Sequence, residues 1–319
     1  MQHSHPKKIW HQTVSWLHGI YPHIGLGKCC ALFGYSRQSY YQHANESDFS
    51  QQALRELIVQ TVRTYREQMP RLGSRKLYIL IKQNFGSQAG LPGRDKFVDL
   101  LSEQGLLLRI KRRKRYRTTD SEHPFKRYPN LIRDKVFTAP NQAWVSDITY
   151  VETRDGVCYL SLITDLYSRK IVGWALGKTL QTIHCRSALQ MALQRLSYPQ
   201  DSRGLIHHSD RGCQYCSFDY VNELKSRGMR ISMTESGDPL ENAVAERVNG
   251  IIKSEWLYGV DIKNYEDCRG RVSRAIKVYN DLRPHMSLDY QTPSEVHDQG
   301  ATPKRHWKTF RERNQARQG

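Results

Sequence analysis

Hydrophobic positions between residues 143 and 256 change their spacing several times, and each change predicts an element. AWVSDITYVET (143–153) is rich in β-branched and aromatic residues, which predicts a strand. Asp155-Gly156 is a hairpin signal, and VCYLSLITD (157–165) predicts a second strand. After a turn at Tyr167-Ser168-Arg169, KIVGWALG (170–177) predicts a third, so these strands read as sequential and antiparallel. The period then lengthens. TIHCRSALQMALQRL (182–196) carries Ala188, Met191, Ala192 and Leu196 at helical spacing. LIHHSD (205–210) is a short strand, CSFDYVNELKSRG (216–228) a helix closed by Gly228, and RISMTES (230–236) another short strand. GDPLENAVAERVNGIIKSEW (237–256) predicts a helix with Asp238 as N-cap, Pro239 at N1 and Glu241 as a capping-box residue at N3. The order β-β-β-α-β-α-β-α describes a mixed α/β domain.

The first 140 residues have a different texture. LGKCCALFGYSRQSYYQH (26–43) reads as helix, turn, helix, with Gly34 in the turn and Ser36 capping the second helix. Leu54, Leu57, Ile58 and Val62 continue at helical spacing. GSRKLYILIKQ (73–83) and GRDKFVDLLSEQG (93–105) form a second helical pair, the latter with an apolar stripe of Phe97, Leu100 and Leu101. The expected domains are therefore a helix-turn-helix segment (1–45), a second helix-turn-helix-like domain with a basic run (46–117), a linker (118–140), the α/β core (141–298) and a basic tail (299–319).

Charge adds a partner to this picture. The formal net charge is +18, and residues 1–140 hold 24 Lys/Arg against 10 Asp/Glu, while the rest hold 25 against 21. A basic front half beside a nearly balanced back half points to a polyanion, with nucleic acid first. RIKRRKRYR (109–117) has seven basic residues in nine, and Lys111, Arg112, Arg113, Lys114 and Arg115 are expected on phosphates. Arg94 and Lys96, at the start of the 93–105 helix, are candidates for the same role. The tail KRHWKTFRERNQARQG (304–319) reads either as added non-specific affinity or as a disordered end. No apolar run approaches the roughly 20 residues that span a bilayer. The N-terminal MQHSHPKKIWHQ lacks the apolar core of a secretory signal, so the expected location is cytoplasmic, with no membrane partner.

Seven cysteines without a signal peptide imply reduced thiols. Cys213 and Cys216 form a single CxxC near His207 and His208, and His18, His23, Cys29 and Cys30 lie close in sequence. No second CxxC accompanies the first set, whose two histidines leave a metal site open, and the spacing of the second set matches no zinc pattern.

Carboxylates carry the chemistry. Asp147 lies in the first strand, Asp210 ends the fourth, and 35 residues separate Asp210 from Glu246 on the 237–256 helix. Leu240, Val244, Val248 and Ile251 form that helix's apolar stripe. Asn242, Glu246, Asn249 and Lys253 share the opposite face, which is expected to point outward. Two strand aspartates and one helical glutamate can converge, and Mg²⁺ is commonly held by a few carboxylates plus a substrate phosphate. Asp165, at a strand end, reads instead as a turn residue.

The set AWVSDITY, HSDRGCQY and ENAVAERVNGIIKSE resembles the D-D-35-E signature of retroviral-integrase-type cores. It is closer still to bacterial transposases of the insertion-sequence 3 family, second reading frame, whose motifs read TDITY, HSDxGxQY and NAxxExxxxxxK. Here Ser146 stands where the first motif has threonine, and YNDLRPHMSLDYQTPSEV (279–296) resembles the family's closing segment. The resemblance implies a ribonuclease-H-like catalytic core, a mixed five-stranded sheet with helices, preceded by all-α helix-turn-helix domains. It implies that Asp147, Asp210 and Glu246 are catalytic and bind Mg²⁺ or Mn²⁺, two ions per site, and that Lys253 and Asn242 contact DNA. The implied reaction is cleavage of one strand at each transposon end, then attack of the freed 3′-OH on target DNA. Implied partners are double-stranded DNA (terminal inverted repeats and target), further copies of the chain in at least a dimer, and an upstream-frame protein or fusion. Two other readings stay open: a non-catalytic or truncated DNA-binding regulator of the element, and a nuclease that cuts without joining.

Overall fold

A computed structural model describes residues 6–86, 90–108, 124–133, 135–235 and 239–303. The chain divides into two compact units, one built from residues 1–64 and 81–106, the other from residues 65–80 and 107–319.

In the first unit, α1 (Pro6–Ile20), α2 (Leu26–Ala31) and α3 (Arg37–Gln68) surround a small core of Trp10, Val14, Cys29 and Cys30. Trp10 stacks on Tyr35 with ring centroids 3.9 Å apart. Cys29 and Cys30 are thus packing residues of this core. The turn between α2 and α3 uses Gly34 at φ +76°, and Ser36 Oγ accepts the Ser39 N–H at 3.0 Å, which caps α3 as expected. No Gly or Pro interrupts residues 37–68, so α3 runs unbroken across position 45/46 and ends before Pro70. Ile58 and Val62 are buried, whereas Leu57 is exposed. α4 (Ser74–Phe85) follows. α5 (Arg94–Glu103) buries Phe97, Leu100 and Leu101 and gives way to Gly105 at φ +65°.

The second unit is built on five strands: β1 (Ala143–Thr153), β2 (Gly156–Asp165), β3 (Ile171–Gly177), β4 (Ile206–Ser209) and β5 (Arg230–Met233). Their order is β3-β2-β1-β4-β5. β1–β2 and β2–β3 pair antiparallel, and β1–β4 and β4–β5 pair parallel. This is the mixed sheet expected of a ribonuclease-H-like core. α6 (Thr182–Leu193), α7 (Cys213–Cys216) and α8 (Phe218–Ser226) complete a core centred on Trp144, Leu189, Tyr220 and Leu224. Asp165 is a turn residue, as expected: it accepts the N–H groups of Asn141, Tyr167 and Ser168.

Part of the expected linker is structured. The Pro129 carbonyl accepts the Met233 N–H at 3.3 Å, and the Leu131 N–H donates to Ser232 Oγ at 2.8 Å. Residues 129–131 therefore cover the outer side of β5, which would otherwise be an open sheet edge.

The 237–256 helix is shorter and less regular than its pattern suggested. Residues 239–242 form a 3₁₀ turn, α9 covers Ala243–Ile252, and residues 253–257 continue as a π-helical turn. Asp238 lies outside the described residues. The Glu241 carboxylate binds Arg133 and the Glu235 N–H. α10 (Tyr265–Asp281) and α11 (Pro293–Asp298) close the unit. Both amide atoms of Asn280 bond the backbone of Ile171 on β3.

Candidate active site

Strand parity decides which face each residue serves. Trp144 and Ile148 point into the core shared with α6 and α8. Asp147 and Thr149 point to the other face, where Asn249 and Lys253 of the third motif meet them. β4 runs parallel to β1 with His208 opposite Val145, so the same register carried two residues on sets Asp210 level with Asp147. The adjacent histidines divide between the faces. His207 Nε2 lies 2.7 Å from Ser146 Oγ and 2.9 Å from Tyr220 OH. His208 reaches Ser232 and the Glu241 carbonyl. Burial holds both rings neutral, pushing His207 down to about 3 and His208 to about 4.

Asp147 is held by two neutral donors. The Ile148 N–H donates to Oδ1 at 2.9 Å and Asn249 Nδ2 to Oδ2 at 2.8 Å. It has no ion pair among the described residues. Burial first, then the negative charges of Asp210 and Glu246, push its carboxyl up to about 7. Asp210 Oδ1 accepts the Gly212 N–H at 3.0 Å. A Cβ at Gly212 would sit 3.1 Å from that oxygen and 3.2 Å from Gln214 Oε1, so glycine leaves the carboxylate its room. Glu246 is solvent-exposed on α9. Asp147, Asp210, Thr149, Gln214 and Tyr215 line a cavity of about 240 Å³.

The third-motif face does not point outward. Asn242 Nδ2 donates to the Ser146 carbonyl at 3.0 Å, and Lys253 Nζ to Thr149 Oγ1 at 3.0 Å. Asn242, Asn249 and Lys253 are buried, and Glu246 alone of the four is exposed. The reason is that β1 offers this face polar groups, so a polar helix face matches it. The apolar residues Val248 and Ile251 are buried as well. Asn242 thereby anchors α9 to β1. The Lys253 ammonium lies 3.9 Å from the Tyr150 ring centroid and 5.5 Å from that of Tyr258. These three residues line a neighbouring cavity of about 440 Å³.

The donor set fits a hard divalent cation in its chemistry. All three carboxylates supply oxygen, and Asp147 faces two negative neighbours with only neutral donors against it. Asn249 Oδ1 is also buried with no partner among the described residues. Among those residues, no three His, Cys, Asp or Glu side chains stand as a ready metal cluster. Cys216 instead meets Met233, Sγ to Sδ 3.6 Å.

Arg94 and Lys96 are exposed on the first turn of α5, and Arg94 pairs with Asp95. Lys111, Arg112, Arg113, Lys114 and Arg115 lie outside the described residues. Sequence reasoning left two groups without a role. Asn249 was visible on the Glu246 face, three residues on. Arg133 has no local signal, because its partners lie more than 100 residues away.

Sheet order and site define a class: an integrase-type core of the ribonuclease-H-like fold, the scaffold of polynucleotidyl transferases. Residues 138–239 match the family model described as integrase core domain, and residues 227–293 match a second model of that description. The chain is 37% identical over 274 residues to the insertion element IS600 uncharacterized 31 kDa protein of Shigella sonnei, covering 83% of this chain and 96% of that protein. It is 37% identical over 166 residues to transposase InsF for insertion sequence IS3A of Escherichia coli, covering 52% of this chain and 57% of InsF. Among solved structures, the HTLV-2 integrase catalytic core domain in complex with magnesium aligns at 20% identity and TM-score 0.40, covering 50% of this chain and 97% of that one. The chain belongs to the insertion-sequence transposases of the IS3 type.

Proposed function

We propose that this transposase binds the terminal inverted repeats of its element, cuts one strand at each end and joins the freed 3′-OH to target DNA, using Asp147, Asp210 and Glu246. The observation that carries the reading is shared placement: Asp147 and Asp210 line one cavity, and Asp210 and Glu246 both lie near enough to raise the Asp147 carboxyl. Such crowding is tolerable when a cation is shared. Mg²⁺ or Mn²⁺, held as an ion pair by these side chains, would supply charge at the attacking and leaving oxygens of an in-line displacement.

The protein's own part is positioning. The Ile148 N–H and Asn249 orient Asp147, the Gly212 N–H orients Asp210, and α9 carries Glu246. In the first step a water oxygen bonds to phosphorus and the P–O3′ bond breaks. In the second, the released 3′-oxygen bonds to a target phosphorus and the target's own O3′ leaves. Water and hydroxyl are alike as nucleophiles, so one site serves both steps without a covalent protein intermediate. Lys253, beside Tyr150 and Tyr258, meets the DNA end, while Arg94, Lys96 and the 109–117 run hold phosphates. At least two copies act together, because two ends must be joined. The site lies on the nucleoid, where its substrate is.

The test is incubation of the full chain with labelled ends of its own element and Mg²⁺, beside Glu246→Gln. Nicked and joined products that vanish in Glu246→Gln, with end binding kept, are expected. Equal turnover in the variant would remove Glu246 from the site, and binding without chemistry in the wild type would favour a regulator.

A further inference from the structure

The residues just before the core reach the start of α9 by two separate routes. The first is ionic. Arg133 Nη2 lies 2.8 Å from Glu235 Oε2 and 2.6 Å from Glu241 Oε1, so one guanidinium bridges both sides of residues 236–238. The remaining oxygens of both acids are engaged: Glu235 Oε1 accepts the Asn130 N–H at 3.0 Å, and Glu241 Oε2 accepts the Glu235 N–H at 2.5 Å. The second route runs through neutral groups. The Leu131 N–H donates to Ser232 Oγ at 2.8 Å, and Ser232 Oγ lies 2.8 Å from His208 Nδ1. His208 Nε2 lies 3.1 Å from the Glu241 carbonyl, which can only accept. Nε2 therefore carries the proton, Nδ1 accepts, and the Ser232 hydroxyl donates to it. Both routes end on Glu241. Asn242 follows at once and pins the chain to the Ser146 carbonyl, and Glu246 lies one helical turn further on.

We propose that Arg133 is a positioning residue for Glu246: by bridging Glu235 and Glu241 it fixes the start of α9, and with it the placement of the Glu246 carboxylate against Asp147 and Asp210. The inference rests on the proposed role of Glu246. Arg133 touches neither Asp147 nor Asp210 in any hydrogen bond or ion pair described above. Its own side chain is 44% exposed and that of Glu235 38%, and a pair that open contributes little to global stability; Glu241, 9% exposed, keeps the Glu235 N–H as a partner without Arg133. Its effect is local: it restricts a short backbone stretch that carries a catalytic group at its far end. Glu246 is also the one carboxylate of the three with no strand to hold it, so its placement depends on how α9 begins.

The experiment compares the full chain with Arg133→Ala and Arg133→Lys. Amide exchange without DNA tests the anchor alone. Arg133→Ala is expected to speed exchange at residues 243–247 while the exchange of β1 stays unchanged. In joining assays Arg133→Ala is expected to lower the turnover rate about tenfold or more, since misplacements near 1 Å cost that much and beyond. End affinity stays the same, the Mg²⁺ needed for half-maximal rate rises, and Arg133→Lys recovers most of the loss. Unchanged exchange at 243–247 would overturn the proposal, and so would unchanged turnover in Arg133→Ala. A loss confined to end affinity would also overturn it, because Arg133 would then be a phosphate contact. A wild type that joins no ends would instead sink the proposed function, a failure told apart by the exchange data.

Discussion

α5 and α9 are helices of ten residues each, and both carry an apolar stripe opposite polar side chains. They use those polar side chains in opposite ways. α5 buries Phe97, Leu100 and Leu101 and leaves Arg94, Asp95, Lys96 and Asp99 to solvent. α9 buries Val248 and Ile251 and also Asn242 and Asn249 at its polar edge, with Lys253 just beyond, each bonded to β1. An exposed cationic turn can meet phosphate at many positions along a duplex. A buried amide aimed at one carboxylate serves one geometry. On the proposed function, the contrast separates a binding surface, which needs charge and access, from a reaction centre, which needs fixed placement.

The sharpest way to break the contrast is at the carboxylates. Asp210→Asn is expected to lower end cleavage by about 10³-fold or more while leaving end binding intact, and chelation of divalent cations should do the same to the wild type. Gel assays of cleaved ends and band shifts measure both; chelation-resistant cleavage would end the assignment. Next comes Asn249→Ala, which removes the amide from Asp147. We expect turnover to fall about 10-fold to 100-fold, with a stability loss of about 1–2 kcal/mol by urea titration.

A third prediction uses His207, whose burial pushes its ring down to about 3 from its usual value. The unfolded chain binds a proton at that ring below about pH 6.5, and the folded chain does not until about pH 3. Stability is therefore present in full above about 6.5 and lost as pH falls towards 3. Melting curves from pH 7 to pH 4 should fall less steeply for His207→Gln, although that variant starts lower. The smallest effect belongs to α5. Arg94→Gln with Lys96→Gln should weaken end binding a few-fold and reduce the salt slope of log K by about 0.9 for each phosphate that is no longer neutralised. Stability should stay within about 0.5 kcal/mol. A salt slope equal to wild type would mean that this turn does not touch DNA.

The strands were legible because their signals are local. β1 begins and ends where β-branched and aromatic residues do, and Asp155-Gly156 marks the hairpin. Asp147, Asp210 and Glu246 stood out for another reason: their flanking motifs and the 35-residue gap between the last two resemble a family signature. α9 misleads on one point. Its start signal is matched by a helical turn that begins at Pro239, as 3₁₀, and becomes α-helical at Ala243. Its polar face reads as solvent-facing because amphipathicity records only which residues are apolar, not whether a polar strand face waits opposite. Likewise, the linker's mixed polarity gives no sign that Leu131 is committed to Ser232, or Arg133 to Glu235 and Glu241.

The order of elements, the three acidic positions and the basic front half were determined by the sequence alone, since each rests on neighbours within a few residues or on simple counts. Only the tertiary structure decided that burial and two acidic neighbours push the Asp147 carboxyl up, that Lys253 sits over Tyr150, and that Arg133 reaches Glu241. Each of these depends on groups brought together from distant parts of the chain, and on burial, which strengthens charge interactions and requires every polar group to find a partner.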